Sequence, residues 1–115
     1  MSDRPDQLLF TYGSLQHPEI QLDTFGRLIA GEEDILAGYT VDYIEIDDPR
    51  ALDASRPTVQ PIVRATGSPR DKVTGLVLAV TEDELEAADE YQNALYTRGA
   101  VTLGSGRDAW VYLSA

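Results

Sequence analysis

The order of its local patterns constrains this chain most: five or six short runs of β-branched, aliphatic and aromatic residues stand against two segments with helical spacing, and the two kinds do not alternate strictly. Strict alternation would call for a parallel sheet wrapped by helices on both faces. This order predicts an α+β fold, a small mainly antiparallel β-barrel or curved sheet flanked by helices. Residues 7–12 (QLLFTY) read as a buried strand, broken by Gly13-Ser14. Pro18 suits a first helical position, and Leu22, Phe25 and Ile29 predict an amphipathic helix over 18–30, with Gly31 as its stop. Residues 38–46 (GYTVDYIEI) alternate as a half-solvated strand ended by Asp47-Asp48-Pro49, and 49–57 read as a loop. A short strand is expected over 58–65, with Pro61 assigning it to an edge or a bulge. Gly67-Ser68-Pro69 reads as a turn, and 72–80 (KVTGLVLAV) as the central strand. Thr81 with Glu84 three residues on is a capping box opening a helix over 82–92. Residues 98–103 and 109–113 read as a hairpin joined through Gly104-Ser105-Gly106-Arg107.

With 115 residues the chain fits one domain, residues 1–115, able to bury one modest core. It has no cysteine and a single histidine, His17, which leaves no thiolate site, no disulfide and no multi-histidine zinc site. No Gly-rich phosphate loop follows a strand, so neither a metal nor another cofactor is expected. His17, beside Pro18, reads as a surface or capping residue. Twenty acidic residues against nine basic ones give a net charge of −11, which speaks against nucleic acid as a partner. An acidic surface of this kind fits a salt-adapted cytoplasm, or simply an acidic soluble protein. Residues 1–7 do not have the pattern of a signal peptide, and no apolar run reaches membrane-spanning length; a cytoplasmic protein without membrane contact is expected.

The stretch Tyr12-Gly13-Ser14-Leu15 ends a strand and begins a helix within a few residues. Glycine there permits a sharp turn and close ligand approach, and successive N–H groups suit an anion such as a carboxylate. An ordinary strand-to-helix turn has the same sequence. Read together with Gly38-Tyr39, Pro61-Ile62-Val63, Val73-Thr74-Gly75, Asp89-Glu90-Tyr91, Tyr96-Thr97-Arg98 and Ala109-Trp110-Val111-Tyr112, in that order, it resembles the γ-glutamylcyclotransferase-like (AIG2-like) family from about residue 8 to 113. The resemblance implies the family's small barrel flanked by helices. It implies as ligand a small γ-glutamyl-type amide or another carboxylate, with its α-carboxylate held by the amides of Tyr12, Gly13, Ser14 and Leu15; Tyr96 is a further candidate binding residue. The chemistry implied is attack of the ligand's α-amine on its own γ-carbonyl, which closes 5-oxoproline and releases an amine.

In this family a glutamate moves the proton, and aligning Asp89-Glu90-Tyr91 puts Gln92 at its position. A positioned acid/base contributes about 10²–10⁴-fold, and a glutamine side chain cannot take a proton at neutral pH. A longer loop before Tyr96 would select Glu90 instead. Helical spacing groups Leu85, Ala88, Tyr91 and Gln92 on one face and turns Glu86 and Glu90 away. Gln92 thus reads either as a site residue or as a helix-end residue bonding the next loop; Asp83, Glu86 and Glu90 read as a solvated face. Tyr12, Tyr96 and Tyr112 could line a pocket or pack in the core, and Arg98 could meet a site carboxylate or form a surface ion pair. Phe25 and Trp110 read as core. Beside catalysis of 5-oxoproline release stand a non-catalytic carboxylate-binding module on the same fold and a different lyase or amidase reaction in which Gln92 positions the substrate.

Overall fold

The computed structural model describes residues 4–46, 58–92 and 96–114. The expected strand stop at Asp47-Asp48-Pro49 and the loop over 49–57 lie outside them. The described elements are β1 (Gln7–Thr11), α1 (Pro18–Phe25), β2 (Glu32–Ala37), β3 (Tyr39–Ile46), β4 (Thr58–Ala65), β5 (Lys72–Val80), α2 (Glu82–Tyr91), β6 (Tyr96–Thr102) and β7 (Asp108–Ser114), with a single 3-10 turn at Ser14–Gln16. The strands form one mixed sheet in the order β2-β5-β1-β7-β4-β3, and β6 pairs with β7 off that path. Four pairings are antiparallel: β1–β5, β2–β5, β3–β4 and β6–β7. Two are single parallel contacts made by β7, Trp110 with Leu9 of β1 and Leu113 with Val63 of β4.

Apolar residues on both faces of β1 explain why its sequence does not alternate. Leu9 joins Leu15, Leu78, Val80, Leu85, Ala88 and Tyr112 in the core that the helices cover. Phe10 joins Leu36, Val63, Val73, Val77 and Val111 in the core on the other face. Burial of such a Leu or Phe side chain contributes about 1.5–3 kcal/mol. Phe25 and Trp110 are only partly buried against the first core.

Helix α2 begins as its sequence predicts. The Glu84 amide donates to Thr81 Oγ1 at 3.1 Å, and the Thr81 amide donates to Glu84 Oε1 at 2.9 Å. Such a cap contributes about 1 kcal/mol. Glu84 also accepts two hydrogen bonds from Arg27, at 2.7 and 2.8 Å, which ties the segment after α1 to the start of α2. That guanidinium is the main reason the Glu84 carboxyl sits below its ordinary pKa.

Three expectations are corrected. Helix α1 ends at Phe25, not near residue 30, because Gly26 takes φ 74° and its N–H returns to the Leu22 carbonyl. A glycine adopts that left-handed cap without a Cβ clash. The helix therefore leaves Leu22 half exposed and buries Gln21, whose amide donates to the Leu15 carbonyl at 3.0 Å and accepts from the Ile29 amide at 2.9 Å. Second, β2 pairs along β5 where no strand was expected, since Glu-Glu-Asp is poor strand sequence. Its inward Asp34 is bonded by Ser105 and Arg107 of the β6–β7 turn. Third, β4 is not an edge but lies between β3 and β7. Its β7 contact is a single bridge at Val63, which leaves Pro61 outside that ladder.

Candidate functional site

A cleft of about 290 Å³ opens where the end of α2 meets β6 and β7, lined by Asp89, Gln92, Tyr96, Thr97, Arg98 and Tyr112. That is the small end of the range for ligand pockets and suits a molecule of amino-acid-amide size. Asp89 and Gln92 stand three residues apart and therefore share one flank of α2. Gln92 is its C-cap, with extended backbone (φ −74°, ψ 150°) and its N–H donating to the Ala88 carbonyl at 3.1 Å. The chain thus leaves the helix at Gln92, with that residue half-buried at the cleft.

The opposite wall comes from β6 and β7. The Tyr112 ring is buried in the helix-side core, and its hydroxyl donates to Asp89 Oδ1 at 2.8 Å. Arg98 Nε meets the same oxygen at 3.1 Å, and its guanidinium lies 4.6 Å from the centroid of the Trp110 ring. The Tyr96 hydroxyl donates to the Pro61 carbonyl at 2.6 Å. Burial raises the pKa of Tyr112, which the hydrogen bond to Asp89 raises further, and burial raises that of Tyr96 as well. Both hydroxyls keep their protons at neutral pH and act as donors.

The Tyr12–Leu15 loop is tied to the cleft wall through the Tyr12 hydroxyl, which bonds the backbone of Tyr112. Neither Tyr12, Gly13 nor Leu15 is among the cleft's described lining residues. Tyr12 is half-buried and donates to the Tyr112 carbonyl at 2.7 Å, while burial, with Tyr96 nearby, raises its pKa. Leu15 packs in the same core cluster as Ala88 and Tyr112. Ser14 opens the 3-10 turn, which the Gln16 N–H closes onto the Gly13 carbonyl at 3.1 Å. Gly13 does not take a left-handed backbone. Its lack of a side chain matters because a Cβ there would lie 3.1 Å from Pro61 Cγ. Pro61 thus touches the loop on one side and the Tyr96 hydroxyl on the other.

Of the residues singled out from sequence, Gln92 and Tyr96 line the cleft. Tyr12, Gly13 and Leu15 are not among its described lining residues, and Glu90 is exposed and outside the lining. Arg98 pairs with a carboxylate within the cleft, and Tyr112 is both core and lining. Asp89 is the functional candidate that sequence reasoning passed over. Its signal was its position one turn before Gln92 on the same flank. Among the described residues, no three His, Asp or Glu side chains converge to hold a metal ion. No described helix is long and apolar enough to cross a membrane.

A mixed seven-stranded sheet with two helices, and a small polar cleft at the end of the second helix, defines an α+β domain with a site for a small ligand. The family model described as gamma-glutamyl cyclotransferase, AIG2-like, matches residues 9–115, and the chain belongs to that family. Comparison with curated proteins gives no match. Among solved structures, an Arabidopsis thaliana protein studied in solution is 21% identical with a TM-score of 0.70, over 99% of this chain and 66% of its own. A structure described as gamma-glutamyl cyclotransferase is 20% identical with a TM-score of 0.71, over 95% of this chain and 66% of its own. A Homo sapiens protein described as uncharacterized is 20% identical with a TM-score of 0.71, over 99% and 68%. These likenesses are of fold, and the chain spans about two thirds of the length of the solved structures it matches.

Proposed function

We propose that this protein binds a small γ-glutamyl-type amide in the cleft and turns it over at most slowly. The observation that carries this reading is Gln92 at the C-cap of α2, lining the cleft together with Tyr96. In the reaction proposed, the ligand's α-amine attacks its γ-carbonyl carbon, the amide C–N bond breaks, and 5-oxoproline and an amine result. The attacking ammonium must lose a proton and the departing nitrogen must gain one. The Gln92 amide can donate to the γ-carbonyl and accept from the amine, but it carries no proton between them. Asp89, the one carboxylate among the described lining residues, is held through Oδ1 by Tyr112 and Arg98 and is given a binding role, not that of the proton carrier. Binding therefore survives while the acid/base contribution, about 10²–10⁴-fold, is missing.

The ligand's α-carboxylate is assigned to the loop side, past Tyr96, against the backbone of Gly13, Ser14 and Leu15. The proposed setting is a salt-tolerant cytoplasm, consistent with the net charge of −11. A panel of γ-glutamyl amides tested in parallel for thermal stabilisation and for 5-oxoproline release tests the reading. Stabilisation with little release is expected; rapid release would overturn the role given to Gln92, and no stabilisation by any member would overturn the ligand class.

A further inference from the structure

We infer that Asp89 is the seat of the ligand's α-ammonium group, and that Tyr112 and Arg98 are positioning residues that hold its carboxylate for that purpose. The inference rests on the cleft reading above and adds a specificity determinant to it. Asp89 comes from the last turn of α2, and its side chain is about one-third exposed at the cleft. Both of its donors, Tyr112 Oη at 2.8 Å and Arg98 Nε at 3.1 Å, converge on Oδ1. They leave the lone pairs of Oδ2 for a ligand cation.

The donors are themselves held. Tyr112 is 5% exposed with its ring in the core, and the Arg98 guanidinium rests on the Trp110 ring, whose Nε1 donates to Gln7 Oε1 at 3.0 Å. A carboxylate fixed by two immobilised donors loses little rotamer freedom when a third group arrives, which favours binding. Gln92, one turn along the same flank, faces the ligand's amide in this arrangement. The remaining lining groups are hydroxyls and the Arg98 cation, so Asp89 is the only described anion in the cleft for an ammonium to meet. The cleft then selects amides with a free amine at the α-carbon over desamino analogues of the same length. A charge-assisted hydrogen bond of this kind corresponds to a preference of about 10- to 100-fold.

The test compares binding of γ-glutamyl amides with that of the matching glutaric monoamides, which keep the carboxylate and the amide but lack the amine. It is carried out by calorimetry on the wild type, on Asp89→Asn and on Tyr112→Phe. The wild type should prefer the amine-bearing ligand by about 10- to 100-fold. Asp89→Asn should abolish that preference with the desamino affinity kept, and Tyr112→Phe should reduce it. A merely structural role for Asp89 or Tyr112 would weaken both ligands alike and leave their ratio unchanged, which overturns the inference. Equal wild-type affinity for the two ligands overturns it without any variant and leaves the cleft reading standing. No binding of either ligand removes the cleft reading and this inference together.

Discussion

Gln92→Glu places a carboxylate where the chain leaves α2, and two structural features set its cost. The C-terminal end of a helix carries partial negative charge, and an anion there destabilises by about 0.3–1 kcal/mol. Asp89, three residues back on the same flank, adds a like-charge term of about 0.2–0.5 kcal/mol. Arg98 lines the same cleft and offsets part of both. The net cost is at most about 1.5 kcal/mol at neutral pH, or a Tm lower by up to about 6 °C for a domain of this size. Both unfavourable effects also push the new carboxyl's pKa upward, toward the range in which an acid/base works at neutral pH. If the rest of the cleft positions the ligand, 5-oxoproline release should rise by up to about 10²–10⁴-fold. The assay measures product release at saturating γ-glutamyl amide beside thermal melts at pH 7 and at pH 4, where protonation removes most of the penalty. A variant that binds like the wild type but releases product no faster would show that residue 92 does not reach the reacting atoms. A Tm deficit unchanged between the two pH values would refute the electrostatic reasoning.

Gln21→Leu should destabilise the fold, because the Leu15 carbonyl and the Ile29 amide lose their partner; each buried group left unpaired costs about 1–3 kcal/mol, and a denaturant midpoint unchanged within about 0.5 kcal/mol would contradict this. The Asp34 carboxyl is held below its ordinary pKa first by the Ser105 hydroxyl, then by the Ile35 amide and Arg107. A carboxyl depressed in the folded state contributes stability above its unfolded pKa of about 3.9, lost as pH falls through the lower folded value; Asp34→Asn should therefore flatten the fall in Tm with acidification below about pH 4. Glu90→Gln should leave ligand binding and product release unchanged and shift stability by no more than about 0.5 kcal/mol, since its side chain is exposed outside the cleft.

The strands and caps that depend on local pattern were legible in the sequence. The Thr81–Glu84 box, the Gly104–Arg107 hairpin and the buried runs at 7–12 and 72–80 each announce themselves within a few residues. What escaped depends on contacts distant in sequence. Strand β2 is acidic and becomes a strand because β5 offers it a partner and the β6–β7 turn neutralises Asp34. The end of α1 was misplaced because Leu22 and Ile29 imitate a continuing apolar face, whereas Gly26 ends the helix and Ile29 is buried from the following segment. In the site, helical spacing put Gln92 on the face of Leu85 and Ala88, whereas Asp89 went unread because its value depends on Tyr112 and Arg98 arriving from other strands. Gly13 was read as a ligand-approach glycine; its described close neighbour is Pro61.

The structure of the protein with a slowly turned-over γ-glutamyl amide bound tests the central claim most directly. The account predicts the ligand in the cleft between α2, β6 and β7, with the Gln92 side-chain amide within hydrogen-bond distance of the γ-amide, the α-ammonium on Asp89, and the α-carboxylate directed toward the Gly13–Leu15 backbone. A ligand seated elsewhere, or seated in the cleft with Gln92 turned away from the γ-amide, would contradict it.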